Sequence, residues 1–126
     1  MRAAVLRDRG EPLEITDVDR PEPAPHGAVV AVEACGVCRS DWHAWKGHGE
    51  WNGDRVRDGQ ILGHEPAGRV VAVGDRVEPV AEGDRVAVPF NLGDGSCPQC
   101  LFGHGNVCED GLALGFQQEA QGAFAE

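Results

Sequence analysis

The sequence predicts a mostly β domain with one or two short helices and a cysteine-bearing lobe at its side. Three observations carry that expectation. Val-rich segments recur at residues 28–34, 68–73 and 84–88, bounded by turn residues. The chain holds 18 Gly and 8 Pro with only 6% aromatic residues, a make-up suited to many short strands joined by tight turns. From residue 91 to 111 apolar periodicity vanishes and Cys97, Cys100 and Cys108 appear instead, so a metal is expected to replace the missing core there.

A length of 126 residues fits one domain, large enough to bury a core without disulfides. The net charge of −10 argues against nucleic acid and anionic membrane as partners, because their phosphates would repel the chain. No apolar run approaches the roughly 20 residues of a membrane span. The opening Met1-Arg2-Ala3-Ala4-Val5-Leu6-Arg7-Asp8 meets charge too early for a signal peptide and reads better as a strand. A cytoplasmic protein is expected. Its 5 Cys form an odd, clustered set, which favours metal over disulfides in that compartment.

The elements follow in order. Residues 2–8 read as an edge strand. Residues 13–18 read as an alternating one, with Leu13 and Ile15 set against Glu14 and Thr16. Pro21, Pro23 and Pro25 stiffen a connector that cannot pair in a sheet centre. Residues 28–34 form the clearest strand and deliver the chain to Cys38. Residues 40–46 suit a short helix. Residues 47–59 are polar and Gly-bearing and read as a surface loop. Ile61 and Leu62 re-enter the core. Gly-Asp-Arg-Val occurs at residues 74–77 and again at 83–86, and both copies read as turns leading into strands, with Gly supplying positive φ. Residues 122–126 begin another strand, and the chain stops within it.

Several residues carry chemistry. Cys38 offers a soft thiolate and His64 an imidazole, the two ligand types zinc prefers. Glu65 beside His64 can orient the ring or act as a ligand itself. Asp41 is a candidate acceptor for a ligand's spare N–H, or simply a first-turn carboxylate favoured by the helix dipole. Trp42, Trp45 and Trp51 crowd the Cys38 region and suit a pocket lining or a covered face. Cys35-Gly36-Val37-Cys38 also spells a redox pattern. The chain lacks the strand–helix alternation such a motif needs, so Cys35 is expected to pack on its strand. Gly93-Asp94-Gly95 does not sit between a strand and a long helix, so no dinucleotide fingerprint is present.

Gly63-His64-Glu65-x-x-Gly68-x-x-x-x-x-Gly74-x-x-Val77, with Gly36-Val37-Cys38-Arg39-Ser40-Asp41 upstream, resembles the signature of the zinc-containing alcohol dehydrogenases of the medium-chain dehydrogenase/reductase family. The resemblance runs over the whole chain, 1–126, and corresponds to that family's amino-terminal, GroES-like catalytic domain alone. It implies a partly open GroES-like β-barrel with a structural zinc lobe at residues 91–111, and hydride transfer between an alcohol and NAD(P).

The same resemblance assigns roles by position. Cys38 and His64 become ligands of a catalytic zinc whose third ligand lies beyond residue 126, with Glu65 a weak substitute. Ser40 takes the alcohol's proton and His43 relays it; otherwise Ser40 reads as a helix N-cap and His43 as a surface residue. Arg39 meets the cofactor pyrophosphate, unless it is an ordinary surface Arg. Phe90, with Trp42, walls the substrate pocket. Asp94, Cys97, Cys100 and Cys108 hold a structural zinc. Asp94 stands where the family has Cys, and His104 is a rival ligand. Gly103 and Asn106 fall at familiar places in that lobe. A three-Cys remnant without metal is the alternative.

The resemblance further implies a Rossmann domain outside residues 1–126, a homodimer or homotetramer, a small alcohol, aldehyde or ketone as substrate, and no turnover by the isolated chain. Three other readings stay open: a chaperonin-10-like lid, a zinc-ribbon interaction module and a zinc-free quinone reductase relative.

Overall fold

Strand β1 (Arg2–Leu6) carries most of the core on one short stretch. Ala3, Val5 and Leu6 are all buried, and Leu6 has no exposed surface. The structure is a computed structural model and describes residues 1–48 and 56–126. β1 pairs antiparallel with β2 (Glu14–Asp17) on one side and with β4 (Gln60–Ile61) on the other. It is therefore the centre of a three-stranded sheet, where the sequence suggested an edge. Its charged flanks Arg2 and Arg7 mislead, because they lie at its two ends while the middle is apolar.

A second antiparallel sheet runs β3 (Ala28–Gly36), β5 (Glu65–Val73), β6 (Arg85–Ala87). On β5, Pro66, Gly68 and Val70 are buried while Glu65, Ala67, Arg69 and Val71 face outward, the period of a half-buried strand. The β3–β5 register shifts between Val29 and Val30 and again between Val32 and Ala34. Such bulges bend and twist a strand. A short ribbon, β7 (Asn91–Leu92) with β8 (Leu112–Ala113), brackets residues 91–111. Between them lie a one-turn helix α2 (Pro98–Leu101) and a 3-10 turn at Gly105–Val107. The sheets do not close into one cylinder, as in a partly open barrel. Among the described residues no helix is long and apolar enough to cross a membrane.

Among the described residues the core holds two small clusters. Ala3, Val5 and Ile61 form one, and Leu6, Val56 and Leu62 the other, with Phe124 packed against both. Residues 122–126 lie along this core without being a regular strand. Ala4 N–H donates to the Phe124 carbonyl at 2.8 Å, and Phe124 N–H to Leu62 at 2.9 Å. The segment thus splits its bonds between β1 and the residues after β4.

Two other expectations need correction. Ile15 is 67% exposed, although alternation placed it beside Leu13 on the inner face; Leu13 and Val18, at the two ends of the segment, make the core contacts instead. The two Gly-Asp-Arg-Val copies differ. Gly83 has φ +94 and leads into β6, whereas Gly74 lacks positive φ and follows β5. A β-carbon on Gly74 would collide with the carbonyls of Ala24 and Pro25. Gly68 is under the same constraint, since a β-carbon there would run into the Ala31 carbonyl on β3. Gly68→Ala should therefore destabilise the domain by about 1–3 kcal/mol, the usual penalty for overpacking. A urea denaturation curve on the full-length protein, read with its slope held, checks this.

Candidate metal centres

Helix α1 (Arg39–Lys46) begins where β3 ends, and Cys38 is the residue that caps it. Ser40 is already inside the first turn, so it is not the N-cap. Asp41, third in the helix and 4% exposed, folds back across this start. Its Oδ2 accepts the Cys38 backbone N–H at 3.0 Å. Its Oδ1 accepts the Gly63 N–H at 2.9 Å and stands 3.1 Å from His64 Nδ1. One carboxylate thus ties the Cys38 turn to the Gly63–His64 turn. With Nδ1 donating to Asp41, His64 keeps its Nε2 lone pair free for a metal.

Gly63 makes the second turn possible. Its φ of +92 is a left-handed conformation that favours glycine, and the Phe124 ring lies where a side chain would go. The imidazole of His64, itself 5% exposed, packs against Phe116 at 4.9 Å between centroids and faces Phe90 at 6.2 Å. Cys38, His64 and Glu65 converge, each offering one donor atom, and these atoms lie within 4.8 Å of one another. Sulfur, nitrogen and oxygen donors at such range fit a zinc ion. Cys35 is not one of them. Its Sγ approaches the Gly36 carbonyl at 3.4 Å, and burial pushes its thiol pKa up, the behaviour of an inert strand residue.

Ser40 and Phe90 stand beside this centre. Ser40 Oγ lies 3.7 Å from Cys38 Sγ. The Arg39 guanidinium sits 5.1 Å over the ring of Trp42, which is 40% exposed. Phe90 is 53% exposed beside His64. Trp45 turns the other way, into the second core cluster, with its Nε1 donating to the Glu11 carbonyl at 2.6 Å. Trp51 lies outside the described residues, as does the middle of the expected 47–59 loop. His43, exposed, has its Nδ1 2.8 Å from Nδ1 of His48. Sequence reasoning passed over His48 and Phe116: neither lies in a motif, and only the folded chain brings them to the site.

The lobe brings Asp94, Cys97, Cys100 and Cys108 together, again within 4.8 Å. Cys97 caps α2, with Pro98 as its first residue, a favoured start for a helix. The Cys97 and Cys108 sulfurs are 3.7 Å apart. A tetrahedral ion with metal–sulfur bonds of about 2.3 Å separates its ligands by about 3.8 Å, so the thiols already stand at a zinc spacing. Asp94 Oδ1 accepts the Ser96 and Cys97 N–H groups at 2.8 and 3.0 Å. Those N–H groups, Cys97 first, hold its carboxyl well below the usual range. Backbone N–H groups of Cys100 and Glu109 lower the Cys97 thiol, while burial pushes Cys100 up to about 12. A bound cation would remove that conflict among neighbouring thiols. His104 is exposed and is not one of the four converging residues. An open cleft of about 770 Å³ runs beside the lobe from Phe90 to Asn106. Phe90, which faces His64, is among the residues that line it.

The chain belongs to the alcohol dehydrogenase GroES-like domain family, whose model matches residues 24–126. It is 40% identical over 127 residues to an alcohol dehydrogenase of Moraxella sp., covering 100% of this chain and 36% of that protein. It is 39% identical over 125 residues to D-arabinose 1-dehydrogenase (NADP(+)) of Saccharolobus solfataricus, covering 99% of this chain and 34% of that one. The cobalt- and zinc-bound thermostable alcohol dehydrogenase of Pyrobaculum aerophilum superposes with a TM-score of 0.86 at 32% identity, over 100% of this chain and 37% of that one. The chain thus spans about a third of the length of these relatives.

Two outcomes follow. Thiols must shed protons to bind metal, so zinc bound in the lobe should be lost as the pH is lowered; zinc released per chain, followed with a chromogenic chelator, should rise as the pH falls. Asp94→Cys replaces a hard donor with a soft one and should slow that release severalfold at fixed chelator.

Proposed function

We propose that this chain is the catalytic-domain portion of a zinc-dependent, NAD(P)-linked alcohol dehydrogenase that interconverts a primary or secondary alcohol with its aldehyde or ketone. The observation that carries this is the convergence of Cys38, His64 and Glu65 on one point, with Asp41 bonded to the turns that present the first two. Zinc held there would act as a Lewis acid that lowers the pKa of an alcohol hydroxyl, and a nicotinamide would accept the hydride.

The chain's own residues do the rest. Cys38 and His64 would hold the ion, and Asp41 fixes the His64 ring so that Nε2 is the nitrogen left to ligate it. Glu65 is a third donor within reach until a further ligand from outside residues 1–126 is in place. Ser40, in the first turn beside Cys38, takes the substrate's hydroxyl proton, and His43 passes it on. Phe90 and Trp42 wall the side of the centre where a small alcohol lies. Arg39 is exposed next to them, free to meet a cofactor pyrophosphate. Asp94, Cys97, Cys100 and Cys108 would hold a second zinc, which would fasten the lobe.

A cofactor-binding Rossmann domain outside residues 1–126, a homodimer or homotetramer and a cytoplasmic setting complete the reading. A chaperonin-10-like lid, a zinc ribbon and a zinc-free quinone reductase relative do not account for the paired donor clusters. Purified full-length protein loaded with zinc should reduce NAD⁺ or NADP⁺ with simple alcohols, while residues 1–126 alone should not. Cys38→Ser in the full-length protein should lower kcat/KM by at least about 10²-fold and remove one of two bound zinc ions. Full activity with one zinc lost, or turnover by residues 1–126, would overturn the assignment.

A further inference from the structure

The end of helix α1 holds an arrangement that the dehydrogenase reading does not use. Gly47 takes a left-handed conformation, φ 73 and ψ 27, just after Lys46. The His48 N–H then donates to the His43 carbonyl and the Gly47 N–H to that of Ala44, both at 3.0 Å. These paired bonds are the Schellman closure of a helix, which sets the residue after the glycine against the one five positions back. Here those two residues are His48 and His43, and their Nδ1 atoms are 2.8 Å apart. The Trp42 ring packs edge-on to both imidazoles, 5.0 Å from each centroid. The backbone itself therefore holds the pair together.

Two bare lone pairs at 2.8 Å would repel and two N–H groups would collide, so one proton lies between the rings. In the neutral pair one imidazole donates through Nδ1 and has a bare Nε2, while the other accepts at Nδ1 and carries its proton on Nε2. We propose that His48 is the partner that sets the tautomer of His43, leaving His43 Nε2 bare as a base, and that it carries onward the proton His43 receives. This rests on the dehydrogenase reading, in which His43 follows Ser40.

The step balances without any change of oxidation state. A proton reaching Nε2 of His43 displaces the Nδ1 proton across to Nδ1 of His48. The Nε2 proton of His48 then leaves to water. The pair holds two N–H protons before and after, and the rings exchange tautomers. Both residues are exposed, so water can restore the starting state, and carbonyl reduction runs the sequence backwards. His48 acts through His43 and is a positioning residue in that sense.

The test uses full-length, zinc-loaded protein labelled with ¹⁵N-histidine. Long-range ¹H–¹⁵N spectra without cofactor should show His43 and His48 in opposite tautomers. In His48→Phe, which keeps a ring on Trp42 but has no nitrogen, His43 should lose its bare Nε2. His48→Asn keeps a hydrogen-bond acceptor and should retain the His43 tautomer. In both variants proton release during alcohol oxidation, followed with a pH-indicator dye, should slow roughly tenfold, less than the about 10²–10⁴ of a direct acid–base group. Added imidazole should restore the rate in His48→Phe. Identical tautomers in the wild type, or unchanged proton release in either variant, would overturn the proposal. Should the protein oxidise no alcohol, the dehydrogenase reading falls separately, and the tautomer comparison alone decides whether His48 sets His43.

Discussion

Asp41 is the constraint on which the rest of the centre depends. A carboxylate 4% exposed must have its oxygens satisfied, and here three donors from two distant turns do so. One bond closes the start of α1 at Cys38. The other two hold Gly63 and the His64 ring. Removing Asp41 would leave those donors unpaired and free two elements separated by the whole stretch from α1 to β4. The same side chain therefore starts α1, holds the turn before β5 and selects which imidazole nitrogen is left bare.

Around that carboxylate the chain is packed by close backbone approach more than by bulk. Gly122 presses against the carbonyls of Leu62 and Gly63 and has no room for a β-carbon, and Gly115 lies close enough to the Gly63 carbonyl that one there would be tight. Phe116 and Phe124, carried on the same segment, cover the His64 ring and the face of Gly63. The ligand turn is thus clamped between α1 on one side and residues 115–124 on the other. Cys38 and His64 are thus held in place by the fold itself, as a preorganised site requires.

Much of this was legible in the sequence because it rests on local rules. Val-rich runs gave β3 and β5, Gly-bearing turns bounded them, and the Cys spacing marked the lobe. The donors Cys38, His64 and Glu65 stood out by wording, since a soft thiolate and an imidazole beside a carboxylate suit one ion. What escaped was set by tertiary contact. β1 looked like an edge because its flanks are charged, yet β4, only two residues long, pairs with its far end. Ile15 broke alternation because the core contacts of that segment fall on its ends. His48 meets His43 only because Gly47 reverses the chain beyond the helix, where a period of 3.6 no longer applies. Phe116 carries no local pattern, and its place is set by a glycine φ of +79 at residue 115.

The bonds between β1 and residues 124–126 have a consequence for synthesis on the ribosome. Ala4 and Arg2 are made some hundred and twenty residues before their partners Phe124 and Glu126. The β3–β5 pairing and the lobe connect stretches much nearer in sequence and can assemble while the chain is still emerging. The part of the cover over β1 that Phe124 and Ala125 supply must wait until residues 122–126 have cleared the exit tunnel. Until that cover returns, β1 is the part of the emerging chain open to chaperones and to misassociation.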